Sequence, residues 1–264
     1  MKIAEFLKSE NIFEFALVPY SSLKITDGRR NERMKERFEV KSAVFFLIPY
    51  YVEEEKTNLS RYARSRDYHL YIKELAERAE KVLDCDFFCF ADTSPVDEVG
   101  GAIQSGLGCV GVNGLIINRR YGSYVFIGEF FFPFDIDDPF FEGIEKRRAG
   151  DRCLSCGACV KACKTGGIFN RELCVSCINQ KKKITDEEAE IIKASGLAWG
   201  CDECQEICPM NRREETPIEF FRNNRILSLD KETVEGLIES GEFQNRAFAW
   251  RGEGVLFRNI DILK

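Results

Sequence analysis

The stretch CLSCGACVKACKTGG, residues 153 to 167, places four cysteines within eleven positions. Its spacing, CxxCxxCxxxC, is typical of proteins that carry two iron-sulfur clusters. In that arrangement three thiolates bind one 4Fe-4S cluster, and the fourth thiolate binds a neighbouring cluster. The motif therefore predicts a second group of cysteine ligands elsewhere in the chain.

That second group follows within fifty residues. The segment GCDECQEICPMN (200 to 211) contributes three cysteines, and RELCVSC (171 to 177) contributes Cys174. The first predicted ligand set is Cys153, Cys156, Cys159 and Cys208, and the second is Cys163, Cys174, Cys201 and Cys204. The first set includes Cys208 from the second group, and the second set includes Cys163 from the first motif. We therefore expect the two clusters to lie close together.

Zinc and disulfides are the alternative uses of these cysteines. A zinc site pairs CxxC units across a longer loop, whereas three thiolates at successive two-residue gaps would crowd one tetrahedral ion. Disulfides are rare in a reducing cytosol. Lys164 stands where proline usually follows the fourth cysteine, while Pro209 keeps that proline in the second motif. Iron-sulfur ligation is the reading that fits the spacing best.

Four of the twelve cysteines lie outside the predicted ligand sets. Cys85 and Cys89 are four residues apart in a strand-like segment, where a small buried thiol is the ordinary explanation. Cys109, within GLGCVG, and Cys177, three residues after Cys174, leave an inert role and a redox role open.

Composition indicates a soluble, cytoplasmic protein. The 264 residues carry a net charge of -6, which gives no global electrostatic footprint for nucleic acid. No run of about 18 apolar residues occurs, and MKIAEFLKSENIFEF is expected to form an amphipathic helix instead of a signal peptide, so we expect no membrane association. A single histidine, His69, excludes a multi-histidine metal site within one chain.

The order of apolar segments predicts an α+β fold with three parts. Strand-like runs occur at 13–19, 42–51, 86–92 and 114–134, and a segment with helical spacing runs from Arg61 to Leu83. We expect an α/β domain at 1–143, a double-cluster module at 144–213 and a short helical C-terminal extension at 214–264. Helix candidates in the extension are TPIEFFRNN and DKETVEGLIESG.

An electron carrier would hardly need so large a domain before its clusters. We therefore expect an enzyme whose first domain holds substrate and a redox cofactor, supplied with electrons by the clusters. Seven motifs occur in the order found in epoxyqueuosine reductases, and the chain resembles that family over roughly residues 40 to 211. The motifs are RYARSRDYH, DTSPVDE, SGLGCVGVNGLII, GSYVFIGEFF, the first cysteine motif, CVSCINQKK and GCDECQEICPMN.

The resemblance implies a cobalamin-dependent reductase with two 4Fe-4S clusters, which converts epoxyqueuosine to queuosine in tRNA. It implies a nitroreductase-like, corrinoid-binding first domain and a ferredoxin-like cluster module. The clusters would receive electrons from a low-potential donor of the ferredoxin or flavodoxin type. A related enzyme with a different small substrate, and an electron-transfer protein without catalysis of its own, remain the alternatives.

By the same resemblance, Asp92 at the start of DTSPVDE is the general acid, although an Asx turn or helix cap would also place an aspartate there. Cofactor or substrate contacts are implied for eight further residues, several of which could equally be packing or turn residues. They are Arg61, Tyr62, Tyr68, His69, Gly106, Gly108, Gly111 and Asn113. Ser123 and Glu129 match the family without an assigned role.

The chain also departs from the family pattern. Cys109, Val112 and Gly114 replace the usual Trp, Lys and Thr around GxxGKNT, which removes a positive charge and puts the substrate in doubt. Only about fifty residues follow the cysteine motifs, whereas larger family members continue into a helical extension that binds tRNA. Basic residues that could bind tRNA phosphates, or be ordinary surface charges, occur at 146–148, 181–183 and 212–213.

Overall fold

The computed structural model describes residues 3–138, 141 and 152–264. The chain divides into two compact units that are interleaved in sequence. The first unit is Met1–Pro49, His69–Gly111 and Leu115–Leu154; the second is Tyr50–Tyr68, Val112–Gly114 and Ser155–Lys264. The predicted boundary at 143–144 lies outside the described residues, and the predicted domains differ from these units because each unit contains more than one stretch of chain.

The first unit is built on a four-stranded antiparallel sheet. Its strands are β1 (Glu14–Pro19), β2 (Ser42–Pro49), β3 (Phe88–Phe90) and β6 (Val125–Phe132), in the order β1-β2-β6-β3. A two-stranded hairpin of β4 (Cys109–Val110) and β5 (Ile116–Ile117) completes the strands of this unit that the structure describes. Every residue of β2 is buried, because SAVFFLIP is apolar on both faces and β2 lies between two other strands.

Helices cover the sheet of the first unit. They are α1 (Ile3–Ser9), α2 (Gly28–Arg37), α3 (Tyr68–Leu83, whose first residue belongs to the second unit) and α4 (Glu98–Gln104). Asp27 caps α2 and Asp97 caps α4, each through its carboxylate. One face of the sheet packs Ala43, Phe45 and Leu47 against Ala102 and Leu107. The predicted α+β class is confirmed.

The predicted helix from Arg61 to Leu83 is wrong in its first part. Residues Arg61–Ala63 form a 3-10 turn, and the α-helix begins only at Tyr68. The backbone between them pairs with a distant segment, since Arg66 bridges Arg246 and the Asp67 N–H donates to the Asn245 carbonyl at 2.8 Å. Apolar spacing could not reveal this long-range pairing, which replaces helical hydrogen bonds.

The second unit is helical. Its helices are α5 (Ala158–Ala162), α6 (Val175–Ile178), α7 (Asp186–Ser195), α8 (Glu203–Glu206), α9 (Glu219–Arg222), α10 (Lys231–Glu239) and α11 (Glu253–Ile262). A capping box at Thr185 and Glu188 begins α7, and Gly196 ends it in the left-handed conformation. The two helix candidates of the predicted extension correspond to α9 and α10; the last helix, α11, was not predicted.

Residues after 213 share one core with the segment around residue 60. That core includes Leu59, Ala63 and Trp199 together with Phe248 and Leu256. Arg225 also forms an ion pair with Glu54, at 2.5 Å. The predicted C-terminal extension is thus an integral part of the second unit. Among the residues described, no helix is both long and apolar enough to span a membrane.

Candidate functional site

The first cysteine motif surrounds the short helix α5. Cys159 lies on α5, Cys163 is its C-terminal cap, and Cys156 is exposed just before it. Gly157, with φ of 74°, makes the turn that starts the helix. Positive φ favours glycine, so this residue lets the chain bend sharply between two cysteines. Cys153 precedes this turn and belongs to the first unit.

The second predicted ligand set comes together within the second unit. Cys174 caps α6, Cys201 precedes α8, and Cys204 lies on α8. Burial raises the pKa of Cys204 to about 11, and the charges of Cys174 and Cys159 also act to raise it. A hydrogen bond from Asn113 acts to lower it. Cys201 likewise interacts with Cys204 and Cys174. These thiols are therefore neighbours, although they are distant in sequence.

Backbone amides point at several of these sulfur atoms. The N–H groups of Thr165, Gly167 and Ile168 donate to Cys163 and, with the Thr165 hydroxyl, outweigh the effect of burial, so the pKa of Cys163 is lowered. Amides of Ser176 and Cys177 donate to Cys174 in the same way. Thiolates surrounded by N–H donors are what an iron-sulfur cluster uses, because hydrogen bonds to sulfur tune its potential. The donor set fits the predicted cofactor.

No group of three or more His, Cys, Asp or Glu side chains in the described part of the chain is arranged to hold a single metal ion. A cubane differs from a single ion, because each of its thiolates binds a different iron atom. Cys208 follows α8, and its N–H donates to the Gln205 carbonyl at 3.1 Å. The assignment of all eight cysteines as ligands stays a prediction.

Gly167 allows the segments of Cys163 and Cys174 to approach closely. A Cβ atom added there would lie 2.5 Å from the Cys174 Cα and 2.8 Å from its N. These are backbone atoms, which cannot move aside cheaply. We expect Gly167→Ala to lower stability by about 1–3 kcal/mol and to reduce bound iron, as measured by thermal unfolding and iron analysis.

Gly236→Ala is the matched control for this substitution. Gly236 lies inside α10 and has nothing within 4 Å of an added Cβ. We expect this variant to keep its iron and to gain about 0.5–1 kcal/mol, since alanine is the better helix former. Equal iron content in the two variants would show that the close approach at Gly167 is unimportant for the cluster.

A buried polar network supports the segment of Cys201 and Cys204. Asp202, which lies between them, accepts hydrogen bonds from the Ser60 hydroxyl at 2.6 Å and the Arg61 N–H at 2.8 Å. The Arg61 guanidinium binds Glu206 at 2.6 Å and two backbone carbonyls at 3.0 Å, and it is 4% exposed. These are the contacts of a structural side chain, whereas the resemblance implied a cofactor or substrate contact for Arg61.

The other predicted cofactor residues lie in different environments. In the second unit the Tyr62 hydroxyl accepts a hydrogen bond from Trp199 Nε1 at 2.8 Å, and Tyr68 is buried. In the first unit His69 is exposed. Asn113, predicted as a cofactor contact, donates to Cys204. It is therefore a neighbour of Cys204, one of the predicted cysteine ligands.

The predicted glycines shape the β4–β5 hairpin of the first unit. Gly106 has φ of 79°, and the Gly111 N–H donates to the Leu115 carbonyl at 2.8 Å. A Cβ on Gly108 would lie 2.5 Å from the Ile117 carbonyl oxygen, so only glycine fits there. Cys109 is buried in the same hairpin, and Val110 is 48% exposed. These glycines have structural roles whether or not a ligand binds here.

Asp92 lies in an exposed loop after β3 in the left-handed conformation, with φ of 57°. Such a φ is uncommon for any residue but glycine, although aspartate and asparagine tolerate it best. Asp92 does not cap α4, since Asp97 has that role. Its side chain shares a hydrogen bond with Glu98, whose pKa rises to about 7 because of burial and the charge of Asp92. Glu98 therefore exchanges a proton close to neutral pH.

A third carboxyl group, Glu129, lies behind this pair. It is fully buried on β6, and burial together with the charge of Glu98 raises its pKa to about 9. Sequence reasoning found no role for Glu129 and overlooked Glu98. The available signal was a glutamate inside the strand VFIGEFFF, where a buried acid is rare and costly.

Basic residues that were predicted as tRNA contacts are partly engaged elsewhere. Lys181 forms ion pairs with Glu172 at 3.0 Å and Glu188 at 2.7 Å, and Arg213 pairs with Glu206 at 3.2 Å. Surface pairs of this kind contribute little to stability and can be exchanged for other partners. Residues 146–148 lie outside the described part of the chain.

Comparison with known proteins gives close relatives, although no family model matches the chain. The epoxyqueuosine reductase of Lactococcus garvieae (strain Lg2) is 31% identical over 293 residues, which is 97% of this chain and 80% of the relative. That of Listeria monocytogenes serovar 1/2a is 32% identical over 219 residues, 75% of this chain and 54% of the relative. The chain thus spans about half the length of the Listeria protein.

The fold is also known. A crystal structure of epoxyqueuosine reductase with an epoxyqueuosine-modified tRNA-Tyr stem loop superposes with a TM-score of 0.69 at 22% identity, covering 98% of this chain and 79% of that chain. At this identity the likeness shows the fold alone. The sequence relatives carry the further conclusion, which confirms the predicted resemblance: the chain belongs to the epoxyqueuosine reductase family.

Proposed function

We propose that this protein reduces epoxyqueuosine to queuosine in tRNA. The protein is an oxidoreductase, and its relatives with this activity match along most of the chain. The observation that best supports the proposal is the hydrogen bond between Asp92 and Glu98, whose pKa of about 7 suits proton exchange, in a protein that also assembles partly buried cysteine thiols. Reductive deoxygenation needs both a source of protons and a source of electrons.

The reaction removes the oxygen of an epoxide. Two electrons and two protons enter, both carbon–oxygen bonds of the ring break, a carbon–carbon double bond forms, and the oxygen leaves as water. Asp92 donates a proton to the departing oxygen. An exposed loop lets this side chain reach a substrate that is itself part of a large RNA. The Asp92 carboxyl shares a hydrogen bond with Glu98.

Two 4Fe-4S clusters in a ferredoxin-like arrangement supply the electrons, with Cys153, Cys156, Cys159 and Cys208 as one ligand set and Cys163, Cys174, Cys201 and Cys204 as the other. Cluster potentials reach about -700 mV, so such clusters suit a difficult reduction. A low-potential donor of the ferredoxin or flavodoxin type would reload them. Seven of these eight cysteines lie in the second unit, which thus serves electron transfer.

Cobalamin is the second cofactor that we propose, held by a nitroreductase-like first part of the chain. When bound, it would supply the strong nucleophile that attacks the epoxide carbon. The segment 105–117 contains no charged side chain, and its hairpin exposes Val110, which suits the apolar edge of a large ring. His69, Gly106, Gly108 and Gly111 are the residues of the first unit that we propose to line it.

Anaerobic reconstitution tests this function. Protein loaded with iron, sulfide and cobalamin, and given a chemical reductant, should convert epoxyqueuosine to queuosine in a tRNA anticodon stem loop, as measured by mass spectrometry of the nucleosides. Binding of hydroxocobalamin should change its visible spectrum. Retained corrinoid binding without tRNA binding at low salt would favour a related reductase with a different substrate, to which the altered GLGCVGVNG motif would then point.

A further inference from the structure

Glu129 is a buried residue of β6 that has no role in the deoxygenation proposed above. On β6 it is paired with Phe45 of β2 and with Phe90 of β3. Directly paired residues of an antiparallel sheet point to the same face. Phe45 meets α4 on that face, since a Cβ on Gly101 would lie 2.3 Å from the Phe45 ring. The Glu129 side chain therefore extends into the apolar layer beneath α4.

Among the residues that the structure describes, no basic side chain acts on Glu129. Neither of its carboxyl oxygens forms a hydrogen bond of normal geometry with the residues that the structure describes, and its side chain is fully buried. Its neighbours on the same face of β6, Ile127 and Phe131, belong to the apolar core. An ionised carboxylate would be very costly in such a place, so Glu129 holds a proton at neutral pH.

The groups around Glu129 are acidic or neutral. Tyr20, which donates to Asn31 at 2.7 Å, and Cys89 act on it from neighbouring elements. Burial, with the charge of Glu129, raises the pKa of Tyr20 to about 12, so this phenol does not exchange protons at physiological pH. The Ser94 side chain acts to lower the pKa of Glu129 without reaching hydrogen-bond geometry.

Glu98 joins Glu129 to the loop of Asp92. It is the first residue of α4, it accepts the Ser94 N–H at 3.4 Å, and it shares a hydrogen bond with Asp92. The charge of Glu98 acts on Glu129, and so does that of Asp92. The three carboxyl groups are thus increasingly buried: Asp92 is exposed, Glu98 is partly buried and Glu129 is fully buried.

We propose that Glu98 and Glu129 form a proton relay that returns a proton to Asp92 while the substrate covers it, a role that rests on the proposed deoxygenation. The reaction delivers two protons to one oxygen atom, and Asp92 carries only one at a time. Bulk water reaches the exposed Asp92 before the substrate binds. Once the nucleoside lies against the loop, the second proton comes from Glu98, and Glu129 passes its own proton to Glu98. When the product leaves, water returns a proton to Glu129 through Asp92 and Glu98, so the buried carboxylate exists only transiently.

Two measurements test the relay. In the reconstituted enzyme, Glu129→Gln and Glu98→Gln should each lower kcat at pH 7.5 by at least about tenfold, with the KM for the tRNA stem loop unchanged. The fall in wild-type kcat around pH 9, where Glu129 loses its proton, should be absent from Glu129→Gln. Glu129→Asp, which keeps a carboxyl group, should recover part of the rate.

Infrared spectroscopy of the protein without substrate gives the second readout. The carbonyl band of a protonated carboxylic acid should be present at pH 8, above the pKa of about 7 of Glu98, disappear as the pH rises through about 9, and be missing at pH 8 in Glu129→Gln. Glu80→Gln, which changes an exposed glutamate of α3 in the same unit, should alter neither the band nor kcat. Because the buried charge forms only at high pH, Glu129→Gln should be at least as stable as wild type at alkaline pH.

The outcomes separate the relay from the proposed function. An active wild type with the same kcat and pH profile as Glu129→Gln, or a Glu129 that is ionised at pH 7, would overturn the relay and leave the function standing. If wild type and all variants fail equally to deoxygenate the substrate, the function itself is wrong, and the relay loses its purpose with it.

Discussion

The Asp92→Asn variant should lose about 10²–10⁴ in kcat for epoxyqueuosine reduction while it retains close to eight irons per chain. The amide cannot donate the proton that the departing oxygen needs. Asparagine adopts positive φ nearly as readily as aspartate, so the loop with φ of 57° should keep its conformation. Steady-state kinetics and iron analysis of the same preparation would measure both quantities.

Asp84→Asn offers a closely matched control. Asp84 is also an exposed aspartate with positive φ, 47°, and it lies in the same unit. We expect it to keep the wild-type rate, because the proposed mechanism gives Asp84 no role. Full activity of Asp92→Asn would remove Asp92 from the mechanism and favour the turn-forming role that its sequence motif also permits.

The spacing of the cysteines is the feature of the candidate site that can be interpreted most directly from the sequence. Spacing between ligands within one motif is fixed by local chain geometry, so CxxCxxCxxxC indicates its chemistry without a fold. The strand predictions at 13–19 and 42–51 were confirmed as β1 and β2 for a similar reason, since long buried strands need continuous apolar runs.

Long-range pairing is what the sequence could not predict. The helix predicted from Arg61 begins seven residues later, at Tyr68, because Arg66 and Asp67 pair with a segment some 180 residues away. The same pairing makes the last fifty residues part of the second unit. The apolar periodicity of either segment carries no information about a pairing partner so far away in the chain.

Glu129 illustrates a different limit of prediction from sequence. A lone glutamate in an apolar strand is visible in the sequence, but its meaning depends on which residues lie opposite. Only the sheet register and the position of α4 show that it is near Glu98. For Arg61 the sequence motif was misleading in the opposite sense. The resemblance implied cofactor binding at this position, but the Arg61 side chain binds Glu206 and backbone carbonyls.

The Cys174→Ser variant should lose one of two clusters, so that iron falls from about eight to about four per chain and reductase activity disappears. Cys174 interacts with Cys163, Cys201 and Cys204, the other members of its predicted set. Serine oxygen is a poor ligand for iron-sulfur iron, which prefers soft thiolates. Since serine caps helices well, α6 should still begin at this residue.

Cys177→Ser makes the same change one turn further along α6. Cys177 is hydrogen-bonded to Arg171, and its backbone N–H serves the Cys174 sulfur. A side-chain substitution leaves that N–H in place, so this variant should keep its full iron content and most of its activity. The opposite pattern, with iron lost from Cys177→Ser and retained in Cys174→Ser, would transfer the ligand role to Cys177. A loss in both would mean that the cluster depends on this helix as a whole, and not on one thiolate.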